Sequence, residues 1–245
     1  MKTKEELRTS LRAIDHKSYP AYKSLAGSWS FGHYTLNIEH VQGDPFAAPS
    51  QLSVTADSQT AGFPAGYWGT PWNRTALEDY LLRRFGRQAG HFSYQAKGSG
   101  KSGILAVTAP GQEVLERTDC EVRSGTVTLR FEAGFPANGR TINARELEKI
   151  LFDFLPVCVE QGLLYARTPK EDLARVIALA EDQHFIREEL ARQGLAAFVA
   201  DGSILPRESG VSDRPMKDAV PFHAPDELAV TLELPHRGTT RGMGV

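Results

Sequence analysis

Cysteine is scarce: the 245 residues hold only Cys120 and Cys158, both on stretches that read as ordered and neither at metal-ligand spacing. Two thiols make no disulfide framework, so a reducing cytoplasm is the expected setting. Long apolar runs are missing as well. No stretch of about 18 apolar residues is present to cross a bilayer. The amino-terminal MKTKEELRTSLRAID carries charges where a signal peptide needs an apolar run, and a soluble chain without a membrane partner is expected. The net charge is only −2, so any contact with nucleic acid must come from a local basic patch. There is no G-x-S-x-G elbow and no Cys/His signature. Covalent catalysis therefore has no support, and no catalytic residue is assigned. His40 with Asp44 is too thin for a metal claim, and no metal ligands are assigned.

The remainder is ordinary for a globular chain, with 41% hydrophobic and 24% charged residues and enough length for a core. Thr3 with Glu6 predicts a capping box, followed by Leu7, Leu11 and Ile14 on one helical face. Alternation predicts strands over Tyr34–Val41 and Leu52–Ala56, and a helix over Asn73–Arg87 buries Leu77, Leu81 and Phe85. Further strands are expected over Gly103–Thr108 and Cys120–Ala133, the latter turning at Ser124-Gly125. After Gly139 the period becomes helical. Ala144–Tyr165 reads as a helix broken or kinked near Pro156, and Thr168-Pro169 opens another that runs to about Gln193, with Gly194 as its stop. Leu195–Ala200 reads as a short buried strand. Leu228–Leu234 alternates as a half-buried strand, and a Gly-rich connection follows. The expected fold class is α+β: a mixed or antiparallel sheet module with helices over 1–140, then a helical segment with further strands over 141–245.

Phe198–Met216, FVADGSILPRESGVSDRPM, is dense in groups that bind phosphate and poor in groups that build cores. Asp201, Arg207, Asp213 and Arg214 stand beside Gly202 and Gly210, which bend the backbone tightly. They could position a metal-bound phosphate or pair with one another as a structural network. No His or Cys joins them at ligand spacing, which speaks against zinc. GSGKSG (Gly98–Gly103) is no Walker A motif, since the leading glycine is replaced by Gln95 and a strand, not a helix, is expected to follow. With Lys97, Lys101 and Ser102 it could still hold an anion on free amides, or be a solvated turn. Arg83, Arg84 and Arg87 are spaced to share one side of a helix and could grip a nucleic-acid backbone, or simply compensate the helix dipole. GYWGTPWNR places Trp68 and Trp72 in a loop, as stacking platforms for single-stranded bases or as plugs at the edge of a core.

Five segments together carry a resemblance. They are Phe198–Met216, GHYTLNIEHVQGDPFAAPS (Gly32–Ser50), GSGKSG, PGQEVLERT (Pro110–Thr118) and LELPHRGTTRGMGV (Leu232–Val245). Taken along the chain, over nearly its whole length and in the same order, they are similar to the amino-terminal part of the predicted ATPases of the ABC class. The resemblance implies that residues 141–245 hold the start of an ABC-type ATPase core. It also implies that Lys101, Ser102, Arg207, Asp213 and Arg214 contact nucleotide or phosphate. ATP and Mg2+ would be cofactors of the full-length protein, with none required by this stretch, and the full-length form could be a homodimer. In that family the phosphate-binding loop follows the GMG segment. Since the sequence stops at Val245, the expectation is a chain truncated before that loop, silent toward ATP, and partnered by its own missing core. Coupling to nucleic acid, RNA foremost, is the leading functional expectation, with Arg83, Arg84, Arg87, Lys97, Trp68 and Trp72 as its candidate contacts. The alternatives are a non-enzymatic interaction module docking on the core and, last, a metal-dependent hydrolase using Asp201 and Asp213.

Overall fold

Thr3 caps the first helix as its spacing predicts. Its N–H donates to Glu6 Oε2 at 2.6 Å, and the Glu6 N–H donates to Thr3 Oγ1 at 3.2 Å. Helix α1 (Lys4–Ala13) then buries Leu7 and Leu11 completely. The computed structural model describes residues 1–245, which divide into two units: 1–110 with 115–170, and 111–114 with 171–245. The change of period after Gly139 falls inside the first unit. No helix is long and apolar enough to cross a membrane.

In the first unit β1 (Lys2–Thr3) pairs in parallel with β2 (Gly27–Ser30), and all other pairings are antiparallel: β2 with β3 (Thr35–His40), then β4 (Ser50–Ala56). A short helix α2 (Ser58–Ala61) ends on Gly62 in the left-handed region, and α3 (Pro71–Phe92) starts with Thr70 as cap and Pro71 in its first turn. β5 spans only Leu105–Ala106, shorter than the expected Gly103–Thr108, because Gly103 adopts φ +80° and is spent on a turn. β6 (Cys120–Arg123) and β7 (Thr126–Ala133) form the hairpin expected at Ser124-Gly125; both turn residues have positive φ, +49° and +80°, which matches the twist of the strands they join. Leu52, Val54 and Ala56 on β4 face Phe131, Leu129 and Val127 on β7 in register, and all six are buried. Period-2 alternation thus places one face of the sheet in the core.

α3 covers this sheet with Leu77, Leu81, Leu82, Phe85 and Ala89, and Phe85 meets Phe131 at 5.6 Å between ring centroids. After the small ladder β8 (Ala137–Asn138) with β9 (Thr141–Ile142) comes α4 (Ala144–Glu148). The disruption expected near Pro156 takes a specific form: residues Lys149–Phe154 make a π-helical turn before α5 (Leu155–Leu163). Pro156 has no N–H to give back to the preceding turn, and a wider turn absorbs the missing bond. α5 packs closely on α3, since a Cβ at Gly162 would stand 3.0 Å from Phe85 Cα.

The second unit is built on α6 (Lys170–Arg192), stopped as expected by Gly194 at φ +68°. The Thr168 hydroxyl donates back to Leu164 O at 2.9 Å. β10 (Phe198–Ala200) is half-buried, not buried. β11 (Ala229–Leu234) is followed by β12 (Gly238–Gly244), where the sequence suggested only a Gly-rich connection. β12 is the central strand, antiparallel to both β10 and β11. Its glycines conceal it because they show no side-chain alternation, yet the packing requires Gly242 and Gly244: a Cβ at Gly244 would lie 2.7 Å from Leu195 Cδ1 and Val230 Cγ2.

Candidate functional site

The GSGKSG turn does not offer a nest of free amides. Ser99 N–H donates to Ala137 O (2.7 Å), Lys101 N–H to Pro45 O (2.8 Å), Ser102 N–H to Ser99 O (3.2 Å) and Gly103 N–H to Gly134 O (3.0 Å). Ser102, 4% exposed, donates its hydroxyl to Ser99 O and accepts from Ala137 N–H. Anion binding on these four amides, and through Ser102, is therefore corrected: backbone carbonyls already take those donors. Lys101 is half-buried, and Lys97 is exposed with its ammonium donating to Tyr94 O at 2.8 Å.

The three arginines of α3 part company, which corrects the expectation that they share a side. Arg84 is buried (8% exposed) and donates Nη2 to Arg167 O at 3.0 Å and to Gln161 O. It serves the end of α5, and its guanidinium is withdrawn from any nucleic acid. Arg83 forms a fork with Asp79 (2.6 and 3.2 Å) and Arg87 stands exposed one turn on. Their shared face borders a groove of about 720 Å³ whose lining includes Tyr80, Arg83, Gly86, Arg87, Val107 and Pro110. Its walls are mainly apolar, with two guanidiniums on one side.

Trp68 is half-buried and its indole N–H donates to Phe63 O at 3.0 Å; Trp72 is half-buried in the first turn of α3. Trp68 borders a second cavity of about 680 Å³ with Arg74, Glu78, Arg117, Glu121 and Arg123. Its cations are already engaged, Arg117 with Asp79 at 3.2 Å and Arg123 with Glu121 at 2.6 Å. Glu78, only 6% exposed, accepts the Val122 N–H at 2.8 Å. Burial pushes its carboxyl above the ordinary value of 4.5, against the opposing pull of the Val122 amide and Arg74. A carboxyl raised by folding favours the folded state in its protonated form, so stability is lost as pH rises from about 4.5 through the folded value. Glu78→Gln keeps the acceptor for Val122 and removes that loss. Urea unfolding is expected to show the variant at least as stable as the parent at pH 7, with a flatter pH dependence; a less stable variant would mean the charge is needed.

In the second unit Arg207, Asp213 and Arg214 lie on an exposed arm closed by a bridge between Arg207 and Pro215, with Glu208 N–H donating to Arg214 O at 2.8 Å. They form no network with Asp201, which corrects that reading. Asp201 turns the other way: it accepts the Ala224 N–H at 2.7 Å and pairs with Arg241 Nη1 at 2.5 Å, and Arg241 reaches Asp226 at 2.6 Å. The Ala224 amide and Arg241 hold its carboxyl below the usual range. Arg241 and Asp226 escape sequence reading because 40 and 25 residues separate them from Asp201. No three His, Cys, Asp or Glu side chains converge as a metal site. The profile of the N-terminal region of ATPases of the ABC class matches residues 4–166, and the profile of that class's P-loop domain matches 169–245. No curated protein matches the chain.

Proposed function

Because the chain belongs to the ATPases of the ABC class, we propose that its first unit binds single-stranded nucleic acid, RNA foremost, in support of nucleotide-driven work. The α3 groove carries this reading: an apolar slot of about 720 Å³ beside Tyr80, with Arg83 and Arg87 on its rim. Aromatic and apolar walls suit unstacked bases, and the exposed Arg87 guanidinium suits the phosphates between them, Arg83 being already forked with Asp79. Trp68 and Trp72 are further stacking candidates, Lys97 a further phosphate contact, and Lys101 keeps its ammonium as an anion contact.

ATP and Mg2+ are the cofactors this family membership suggests, and we assign Arg207, Asp213 and Arg214 to their phosphates and metal. Support comes from their exposure on the arm. No amide cradle for a triphosphate is assembled here: residues 169–245 contain no G-x-x-x-x-G-K-[ST] sequence, and four of the six GSGKSG amides are taken. These residues alone do not fit a whole nucleotide. A second reading, docking on a protein surface, draws on Val211 and Val220, which are 99% and 86% exposed.

Fluorescence anisotropy with a labelled 12-nucleotide RNA tests the first reading. Affinity is expected to fall with salt, and Arg87→Ala to weaken it and reduce the log–log slope by about 0.7, as loss of one single-strand phosphate contact requires. Arg87 is exposed, so folding is unaffected. Absent or salt-independent binding would leave protein docking as the better account.

A further inference from the structure

A small pocket of about 200 Å³ lies at the opposite end of the sequence from the arm, lined by Lys4, Arg8, His33, Tyr34, Phe152 and Glu160 among others. Its walls are aromatic. Phe31 stacks on Tyr34 at 5.0 Å and on Phe152 at 5.6 Å, and the Arg8 guanidinium lies 4.4 Å over the Phe152 ring. Phe152 belongs to the π-helical turn, a widened geometry that recurs where a helix serves a site.

Two donors here have nothing to donate to. Tyr34 is 7% exposed, and its hydroxyl is buried without a hydrogen-bond partner; Arg8 Nε is buried and equally unbonded. Leaving such a group unpaired costs on the order of 1–3 kcal/mol, so a fold that keeps two in one pocket is poised for an acceptor. We propose that this pocket binds a phosphate group. Arg8 and Lys4 supply fixed positive charge, and the pocket's carboxylate, Glu160, is exposed where water screens it. A neutral acceptor would leave the guanidinium uncompensated; an oxyanion satisfies both donors with charge-assisted bonds. The volume is below the roughly 300–1,000 Å³ of drug-sized sites, so the pocket takes a phosphate with a sugar-sized piece against Phe152 and leaves the base of a nucleotide outside. It shares no residue with the α3 groove, so the inference stands independently of RNA binding there.

The test is thermal denaturation of the full chain with inorganic phosphate, 5′-AMP or a ten-nucleotide oligouridylate, each against sodium chloride at matched ionic strength. At least one probe is expected to raise the melting temperature saturably. Arg8→Met, which keeps the stack on Phe152, should raise the half-saturating concentration about tenfold, the loss of one charge-assisted contact. Tyr34→Phe should weaken binding severalfold while leaving the anion-free protein as stable as the parent or more so, because an unpaired buried hydroxyl has been removed. A response to phosphate or AMP identifies a small anion, and a response to the oligonucleotide alone identifies a backbone phosphodiester. No saturable shift with any probe, or the same shift in Tyr34→Phe as in the parent, overturns the proposal. If Arg8→Met does not fold, Tyr34→Phe decides.

Discussion

Replacing Arg84 by alanine is expected to destabilise the first unit by about 3 kcal/mol and to lower its melting temperature by roughly 10 °C. The side chain is buried, and its Nη2 serves two backbone carbonyls, Gln161 near the end of α5 and Arg167 at the end of the short 3-10 turn Tyr165–Arg167. Helix ends leave carbonyls without intrahelical partners, and a cation there satisfies them and complements the dipole. Alanine leaves these part-buried acceptors without their donor and opens a cavity beside Tyr80, over whose ring the guanidinium lies at 5.7 Å. Lysine should recover little, because an ammonium cannot reproduce the planar fork. Arg87→Ala is the control, an exposed position on the same helix expected to stay within about 0.5 kcal/mol of the parent. Urea unfolding followed by circular dichroism compares the three. A parent-like midpoint for Arg84→Ala would mean that Arg84 is not the strut between α3 and the end of α5.

Gly103→Ala should cost a similar amount, about 3 kcal/mol, for two separable reasons. Gly103 sits at φ +80°, where an L side chain is strained by about 1–2 kcal/mol. A Cβ there would also collide with the Ala96 carbonyl, and overpacking against backbone typically costs about 1–3 kcal/mol. By contrast, Lys101→Ala leaves the Lys101 N–H to Pro45 intact and is expected to change unfolding by less than about 0.5 kcal/mol. The pair discriminates between a turn that acts through its backbone and one that acts through its charges. Equal stability of Gly103→Ala and the parent would show that the turn is loosely held and that its amides remain open to an anion.

Local features were legible wherever a signal and its response sit within a few residues. Thr3 and Glu6 cap each other across three positions, Ser124-Gly125 supplies the two positive φ values of a tight hairpin, and Gly194 ends α6. Strand faces were legible for the same reason: Val127, Leu129 and Phe131 alternate, and burial follows the alternation. The π-helical turn was visible only as trouble near Pro156, because the choice between a kink, a break and a widened turn rests on what packs against Phe152.

The candidate site was much less legible, since a charged side chain's role depends on partners distant in sequence. Spacing put Arg83, Arg84 and Arg87 together; packing sent Arg84 to carbonyls 77 and 83 residues away and left Arg87 in solvent. GSGKSG has the composition of an anion loop, but Ala137, Pro45 and Gly134 take the amides of Ser99, Lys101 and Gly103. Asp201 sits beside Arg207 in the chain and pairs with Arg241 in the fold. Chain neighbours dictate backbone conformation, because torsions and short hydrogen bonds are local. Which polar groups remain available to a ligand is decided by tertiary packing, which pairs most of them with residues that no spacing in the sequence reveals.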